Sequence, residues 1–493
     1  MTSQQQGHSL EEFGYPQELR RSLSFTDLLF YGLIFMVPIA PFAIFGQVYQ
    51  ASGGMVALAY VIGAVAMMFT ALSYAQMSKA FPMAGSVYTY AGRGIGAPVG
   101  FLAGWAILLD YILVPGLLYL VASIAMHATI SAIPVWAWLI VFVAVNTAVN
   151  YLGIKLTATV TKVLLIGELI VLAIFLVVGF VALAQGKGNG KAFGALFESG
   201  TFSWPLIFGA VSVAALSFLG FDGIAMLSEE NKGNERQIGR SMIAALAMAG
   251  LLFFVQTWVA SLFVTDPAAL IAKGDADGVA FYSAAEAAGG HWLAVLTAVT
   301  TAIAWGFADS LVAQVATSRL IFAMARDRQL PSFLARINVR RGVPGNAILL
   351  VSAISLALGL FMSTRPEGIG DLSSMINFGA MFAFLVLHVS VIWHFLVKKK
   401  SKDYLRHLVL PLIGFGILAY VIVNAKVAAT RLGVPGSCSE WLSSSACTSS
   451  VAGRSSPVSV VRNRLEPRDL PAHAGGLRVH VRRPGPRGPA PGR

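Results

Sequence analysis

Charged residues are scarce in this sequence, and cysteine is nearly absent. Of its 493 residues, 12% are charged, whereas a soluble domain carries about 25%. Both cysteines, Cys438 and Cys447, lie near the C-terminus, so there is neither a disulfide framework nor a zinc-binding spacing. No GxxxxGK(S/T) motif for nucleotide phosphates occurs. These absences argue against a large soluble domain, a metal site and ATP-driven transport, and we expect no cofactor.

Long apolar runs make up most of the chain, and 56% of its residues are hydrophobic. A helix of about 20 apolar residues spans a bilayer. The predicted spans are Leu28–Val48, Met55–Met77, Val99–Ile124, Val135–Leu152, Val163–Leu183, Pro205–Leu227, Met242–Val264, Trp292–Val315, Ala347–Met362, Ile376–Leu396 and Leu408–Ala425. The sequence therefore predicts an all-α polytopic membrane protein.

Lysine and arginine are distributed unevenly between the two predicted sides of the membrane. With the N-terminus inside, twenty of the 35 fall in cytoplasmic segments and six in outer segments. This bias predicts a cytoplasmic N-terminus in a cell-membrane protein. The polar N-terminus has no signal-peptide apolar region, so we expect no cleavage. The net charge of +12 reflects the cytoplasmic face and the tail, so we expect a lipid bilayer and no nucleic acid as partner.

Two of the predicted spans contain residues that interrupt a helix. Span 1 contains MVPIAP (Met36–Pro41), whose two prolines cannot both keep a regular hydrogen-bond ladder. Span 6 contains LSFLGFD (Leu216–Asp222), in which Gly220 weakens the helix and Asp222 places a carboxylate at membrane depth. The interruptions lie five spans apart, as expected for corresponding positions of two inverted halves. Such a pair predicts the binding site of a transporter.

Four motifs in this order resemble those of the amino acid/polyamine/organocation (APC) transporter superfamily. Phe81–Tyr111 is similar to the family's glycine-rich run between spans 2 and 3, and Ser217–Asp222 to its FxGF(D/E) pattern. Ser318–Pro331, SRLIFAMARDRQLP, resembles the loop after span 8, and Asn377–Phe384 the start of span 10. The resemblance covers about residues 20–425 and is closest to the putrescine-importer branch.

What the resemblance implies is a leucine-transporter-type fold with two inverted five-helix repeats and substrate bound between the two breaks. The predicted parts are a cytoplasmic N-terminus (1–24), a first repeat (25–185), a second repeat (204–397), span 11 (406–425) and a basic tail (433–493). The tail has nine arginines, three acids and no apolar run that would form the family's twelfth helix. We expect it to be either disordered or translated out of frame.

The first break favours an amine over an amino acid as substrate. The resemblance implies that amino-acid carriers of this family have a Gly-Ser-Gly-like break in span 1, which holds the α-carboxylate of the substrate. This chain instead has Pro38, Ile39, Ala40 and Pro41 at that place. The prolines lack an N–H donor, and the other residues resist positive φ. A substrate with ammonium groups and no carboxylate would instead pair with Asp222 or Asp110.

The predicted substrate-binding residues come from both breaks and from spans 3 and 8. They are Pro38, Ile39, Ala40, Tyr111, Ser217, Phe218, Gly220, Phe221, Asp222 and Trp305. Tyr111 is assigned by resemblance to a tyrosine of the putrescine-importer branch. The alternatives are that Asp222 locks the broken helix through backbone N–H groups, and that the aromatic residues only pack between helices.

Ionisable residues within the spans are candidates for coupling transport to protons. They are Lys162, Glu168, Asp110 and Asp309. By resemblance, Lys162 occupies a position where proton-using relatives place a lysine, but it also lies where a lysine snorkels to the interface. Glu229, Glu230 and the arginines of the loop after span 8 are predicted to be interface charges.

The sequence predicts a secondary transporter that imports a polyamine such as putrescine, or an amino acid, by proton-coupled alternating access. An amino-acid permease or an amino-acid/amine exchanger is the alternative. Two further hypotheses are a nutrient sensor on a transporter scaffold and a membrane-embedded enzyme using Asp110, Asp222 and Asp309. No paired-carboxylate motif supports the enzyme.

Overall fold

The helices were located in a computed structural model, which describes residues 21–431 apart from 191–192, 276–277, 339 and 366–367. The predicted tail at 433–493 and nearly all of the predicted N-terminal segment lie outside these residues. Within the described chain the α-helices are α1 (Phe25–Phe35), α2 (Pro41–Ala51), α3 (Val56–Ala80), α4 (Ser86–Gly94), α5 (Ala97–Thr129), α6 (Val135–Leu152), α7 (Ile154–Ala184), α8 (Trp204–Phe218), α9 (Arg236–Ser261), α10 (Pro267–Lys273), α11 (Ala280–Gly289), α12 (His291–Ile303), α13 (Ser310–Arg326), α14 (Gly345–Met362), α15 (Gly368–Ile392) and α16 (Leu410–Arg431).

Several short segments of tighter or wider helix join these elements. The 3₁₀ segments are Phe221–Glu230 and Ser332–Ala335, and the π-helical segments are Ala304–Asp309, Trp393–Lys398 and Leu405–Val409. Strand pairing in the described residues is limited to isolated bridges. The all-α prediction is therefore confirmed.

Ten helical runs of the described chain are long and apolar enough to cross a membrane. Each overlaps one of the predicted spans 2 to 11. The predicted first span is divided into α1 and α2, each of 11 residues, and neither is long enough to cross alone. The protein is therefore a multi-pass membrane protein, while its division into two inverted repeats stays a prediction.

Small residues bring the helices close together, as is usual in membrane proteins. The most extensive contacts join α3 with α9 and α5 with α15. A Cβ on Gly239 of α9 would lie 2.6 Å from the Cβ of Ala75 on α3. A Cβ on Gly100 of α5 would lie 2.5 Å from the Cα of Gly92 on α4, so two backbones meet there without intervening side chains.

Candidate substrate site

The two interrupted spans meet at their breaks. Span 6 leaves the α-helix at Phe218, and Gly220 takes φ +109° before the 3₁₀ segment begins. A Cβ on Gly220 would lie 2.5 Å from the carbonyl oxygen of Phe35, the last residue of α1. Only glycine satisfies both the left-handed backbone and this close approach.

In the first break, the left-handed residue is Val37, with φ +48°. The sequence did not predict this, because a β-branched side chain disfavours positive φ. The expectation that this break lacks free donors nevertheless agrees with its hydrogen bonds. The N–H groups of Met36, Val37 and Ala40 donate to local carbonyls at 3.1, 3.0 and 2.7 Å, and the two prolines have no N–H.

A central cavity of about 50 Å³ lies where the breaks meet α5 and the π-helical segment. A single water needs roughly 10–15 Å³ of such space, so the cavity holds a few waters in this conformation. Among the predicted site residues, those that line it are Ala40, Tyr111, Ser217, Gly220, Trp305, Asp110 and Asp309. Phe35 and several aliphatic side chains complete the wall.

Four of the predicted substrate-binding residues outside the cavity wall serve as packing or backbone contacts. Phe218 packs against Phe253, with ring centroids 5.2 Å apart, and Phe221 packs against Tyr74 at 5.7 Å. Ile39 is fully buried, and the carbonyl of Pro38 accepts a hydrogen bond from the Gln256 side chain at 2.9 Å. These contacts match the packing alternative for the aromatic pair.

Asp222 also lies outside this cavity wall, and its role in binding the substrate stays a prediction. Its Oδ2 accepts hydrogen bonds from the hydroxyls of Tyr111 at 2.7 Å and Tyr74 at 3.2 Å. Asp222 therefore ties the second break to spans 2 and 3, and Tyr111 links it to the cavity wall.

The charged groups of the cavity come from elsewhere in the bundle. Asp110 of α5 and Asp309 of the π-helical segment are both in the wall and almost fully buried. No lysine, arginine or histidine is found among the described residues that line the cavity. Buried carboxylates without a nearby cation favour the binding of a positive charge.

A side chain that the sequence interpretation missed supports the π-helical segment. In this segment Ser310 donates its N–H to Phe307, so the carbonyl of Gly306 loses its α-helical partner. The amide of Asn146 on α6 donates to that carbonyl at 3.0 Å, and the Ser310 hydroxyl donates to it at 2.7 Å. An asparagine in the middle of an apolar span was the available signal. Asn146 thus stabilises the turn that carries Trp305 and Asp309, two residues of the cavity wall.

Comparison with known proteins decides the family. The amino acid permease family matches residues 23–437. The chain belongs to this family. It is 33% identical to the low-affinity putrescine importer PlaP of Escherichia coli over 431 residues, covering 85% of this chain and 91% of the relative. It is also 30% identical over 422 residues to an uncharacterized transporter of Mycobacterium tuberculosis, covering 84% and 89%.

A third relative is the branched-chain amino acid permease BcaP of Bacillus subtilis, 25% identical over 409 residues, or 78% of this chain and 83% of the relative. The resemblance to the APC superfamily near its putrescine branch is thereby confirmed. The permease is a transporter, and the enzyme hypothesis is dropped.

The predicted coupling residue Lys162 lies away from the central cavity of the permease. Its ammonium forms an ion pair with Asp27 of α1 and lies 6.0 Å from the centroid of the Phe30 ring. With Thr157 and Thr161 these residues line a second, smaller pocket. The pairing with Asp27 was missed because sequence alone does not bring α1 to α7.

Two buried ion pairs tie the 3₁₀ segment of span 6 to α13. Arg319 donates to Glu230 at 2.8 Å, and Arg326 donates to both oxygens of Glu229 at 2.8 and 3.1 Å. Three of the four side chains are 2% exposed or less. The prediction that they are interface charges is therefore wrong. Buried charges of opposite sign need each other, so these pairs fix span 6 to span 8.

Proposed function

We propose that this permease imports a small organic cation, a polyamine such as putrescine, across the cell membrane together with protons. The observation that carries the proposal is the pair of carboxylates, Asp110 and Asp309, in a cavity wall without basic side chains. An ammonium group at the end of a diamine replaces its water shell with such carboxylates. A free carboxylate on the substrate would be repelled by them.

The rest of the wall suits a short alkyl chain with charged ends. Tyr111 and Trp305 offer aromatic faces, which attract ammonium groups by about 0.5–2 kcal/mol depending on desolvation. Leu117 and Leu118 offer apolar contact to methylene groups. The similarity to a putrescine importer over most of both chains supports the same substrate class.

Transport by alternating access requires this cavity to widen and to open on each side in turn. The ion pairs Arg319–Glu230 and Arg326–Glu229, together with Lys162–Asp27, join spans that would separate when one end opens. With the N-terminus in the cytoplasm, these contacts lie toward the inner face. We therefore assign them to the inner seal.

An amino acid remains the second candidate, because one feature of the cavity favours a carboxylate. Helix α2 begins at Pro41 without a side-chain cap, and its N-cap residue Ala40 lines the cavity. The positive end of a helix dipole favours an anion. The similarity to a branched-chain amino acid permease is consistent with this candidate.

Uptake into proteoliposomes distinguishes the candidates. Purified permease would be tested with labelled putrescine, γ-aminobutyrate and leucine, with and without an inside-alkaline pH gradient. We expect putrescine to accumulate with the gradient and leucine not to. Uptake of leucine without putrescine would overturn the polyamine assignment. Uptake that depends on internal substrate and ignores the gradient would indicate an exchanger, and binding without flux a sensor.

A further inference from the structure

We propose that Glu168 holds the proton carried with the substrate, at a site behind Asp309 and separate from the site of the amine. This inference rests on the proposed proton-coupled import. It assigns the proton to one carboxylate in α7 and gives Asp309 the role of linking that carboxylate to the cavity.

The surroundings of Glu168 do not suit a permanent charge. The side chain is 3% exposed, and neither carboxylate oxygen has a hydrogen-bond partner in the described part of the chain. An ionised carboxylate in such a place costs several kcal/mol unless a cation reaches it. Glu168 is therefore held where it binds a proton and releases it only when the surroundings change.

Asp309 is the charged neighbour that connects Glu168 to the substrate. Asp309 ends the π-helical segment Ala304–Asp309, and this segment packs against α7, the helix that carries Glu168. Asp309 lines the cavity, and its Oδ1 is also buried without a partner. Two adjacent buried carboxylates do not both stay ionised, because like charges in a low-dielectric region repel strongly. A positive charge supplied to one of them changes the proton affinity of the other.

Other ionisable groups on the helices packed against α7 have partners of their own or lie outside the buried region. They are Asp27 with Lys162, the Tyr31 hydroxyl with the Val312 carbonyl, Arg319 with Glu230, Arg326 with Glu229, Tyr151 with Arg341, the exposed pair Glu286 and His291, the partly exposed Tyr282, and the exposed Arg236 and Arg240. None is hydrogen-bonded to Glu168. Burial is therefore the main influence on the Glu168 carboxyl, and Asp309 is the buried acid on the packed π-helical segment.

A proton fits this place better than a metal cation does. Hard cations need several oxygen ligands, whereas α7 is an unbroken helix whose carbonyls are occupied by its own hydrogen bonds. Among the described residues, no group of three or more acidic, histidine or cysteine side chains is arranged to hold a metal. A proton needs only one carboxylate oxygen.

The proposed carrier is loaded when a proton from outside forms an O–H bond on Glu168 and an ammonium group of the substrate pairs with Asp309. Neither buried carboxylate then lacks a positive partner, and the cavity can close. When the inner side opens, the amine leaves Asp309 and the Glu168 O–H bond breaks, releasing the proton to the cytoplasm. One proton enters and one leaves, so the step balances.

The test is Glu168→Gln in proteoliposomes, with Glu286→Gln, a change to an exposed side chain of α11, as the matched control. We expect E168Q to keep exchange of external labelled putrescine for internal putrescine within about twofold, and to lose accumulation driven by a pH gradient. A pH-sensitive dye inside the vesicles should report proton entry upon putrescine addition with wild type and E286Q, and none with E168Q.

Gradient-driven accumulation by E168Q would overturn the proposal. Loss of exchange as well, in protein that still elutes as a monodisperse peak, would also overturn it, because Glu168 would then serve the fold or the substrate. So would accumulation driven by a sodium gradient in wild type and lost in E168Q. If wild type moves leucine instead of putrescine, the polyamine proposal fails, and the same variants measured with leucine still test Glu168.

Discussion

The helix of span 1 and the helix of span 6 are interrupted by different residues. The first depends on two prolines and on Val37 at φ +48°, and its amides are used within the break. The second depends on Gly220 at φ +109° and is followed by Asp222, whose carboxylate accepts hydrogen bonds from two tyrosine hydroxyls. Each break thus satisfies most of its own polar groups.

The breaks shape the cavity, whereas other segments supply its charge. The cavity carboxylates come from α5, which is unbroken, and from the π-helical segment. π-helical turns inside α-helices are frequent at functional sites. The proposed function therefore depends on recognition of a cation by Asp110 and Asp309, with both breaks as scaffold.

Among single substitutions in the breaks and their supports, the largest effect is expected from Gly220→Ala. The new Cβ would enter left-handed backbone and lie 2.5 Å from the Phe35 carbonyl oxygen. Strain of about 1–3 kcal/mol from the backbone alone should reduce putrescine uptake by at least about tenfold. Gly416→Ala on α16 is the control, because nothing lies within 4 Å of its new Cβ. Equal uptake by the two variants would show that the second break tolerates a side chain.

The variant Asp222→Asn tests whether Asp222 stabilises the break in span 6 or binds the substrate. We expect the KM for putrescine to stay within about twofold, since the carboxylate is outside the cavity wall. The thermal stability should fall, because replacing a charged hydrogen-bond acceptor removes about 1–3 kcal/mol. Thermal unfolding in detergent and initial uptake rates are the measurements. A tenfold rise in KM with unchanged stability would show that Asp222 binds the substrate.

Asn146→Ala tests the support of the π-helical segment. Without the amide, the Gly306 carbonyl keeps only the Ser310 hydroxyl, and the turn that aims Trp305 and Asp309 loosens. We expect the KM for putrescine to rise about fivefold, equivalent to roughly 1 kcal/mol. Asn424→Ala is the control, since that side chain bonds only within its own helix. Identical KM values would leave Asn146 with a purely structural role.

The smallest effect is expected from the backbone strain at Val37. A pair of variants at this position measures that strain. Val37→Gly and Val37→Ala both remove the buried side chain, but only glycine accepts φ +48° without cost. We expect the glycine variant to be more stable than the alanine variant by about 1 kcal/mol. Thermal unfolding of both would measure the difference. An alanine variant at least as stable as the glycine variant would mean that Val37 carries no strain.

The sequence allowed the spans and the break-forming Gly220 to be predicted because these depend on local chemistry. Apolar length defines a span, and glycine or proline interrupts it. The surroundings of Asp222 were not predictable, because Tyr74 and Tyr111 come from spans 2 and 3. The same limit applies to Glu230 and Arg319, whose pairing across two spans makes a buried charge tolerable.

Cation recognition by Asp110 and Asp309 is best tested by measuring the affinity of the double variant Asp110→Asn/Asp309→Asn for putrescine and for leucine. Substrate competition against labelled putrescine in proteoliposomes, with Asp371→Asn as control, would measure both. Removing two carboxylates from the cavity should weaken putrescine binding by at least about 100-fold, roughly 2.7 kcal/mol, and leave any leucine affinity unchanged or improved. Putrescine affinity within twofold of wild type would contradict the account.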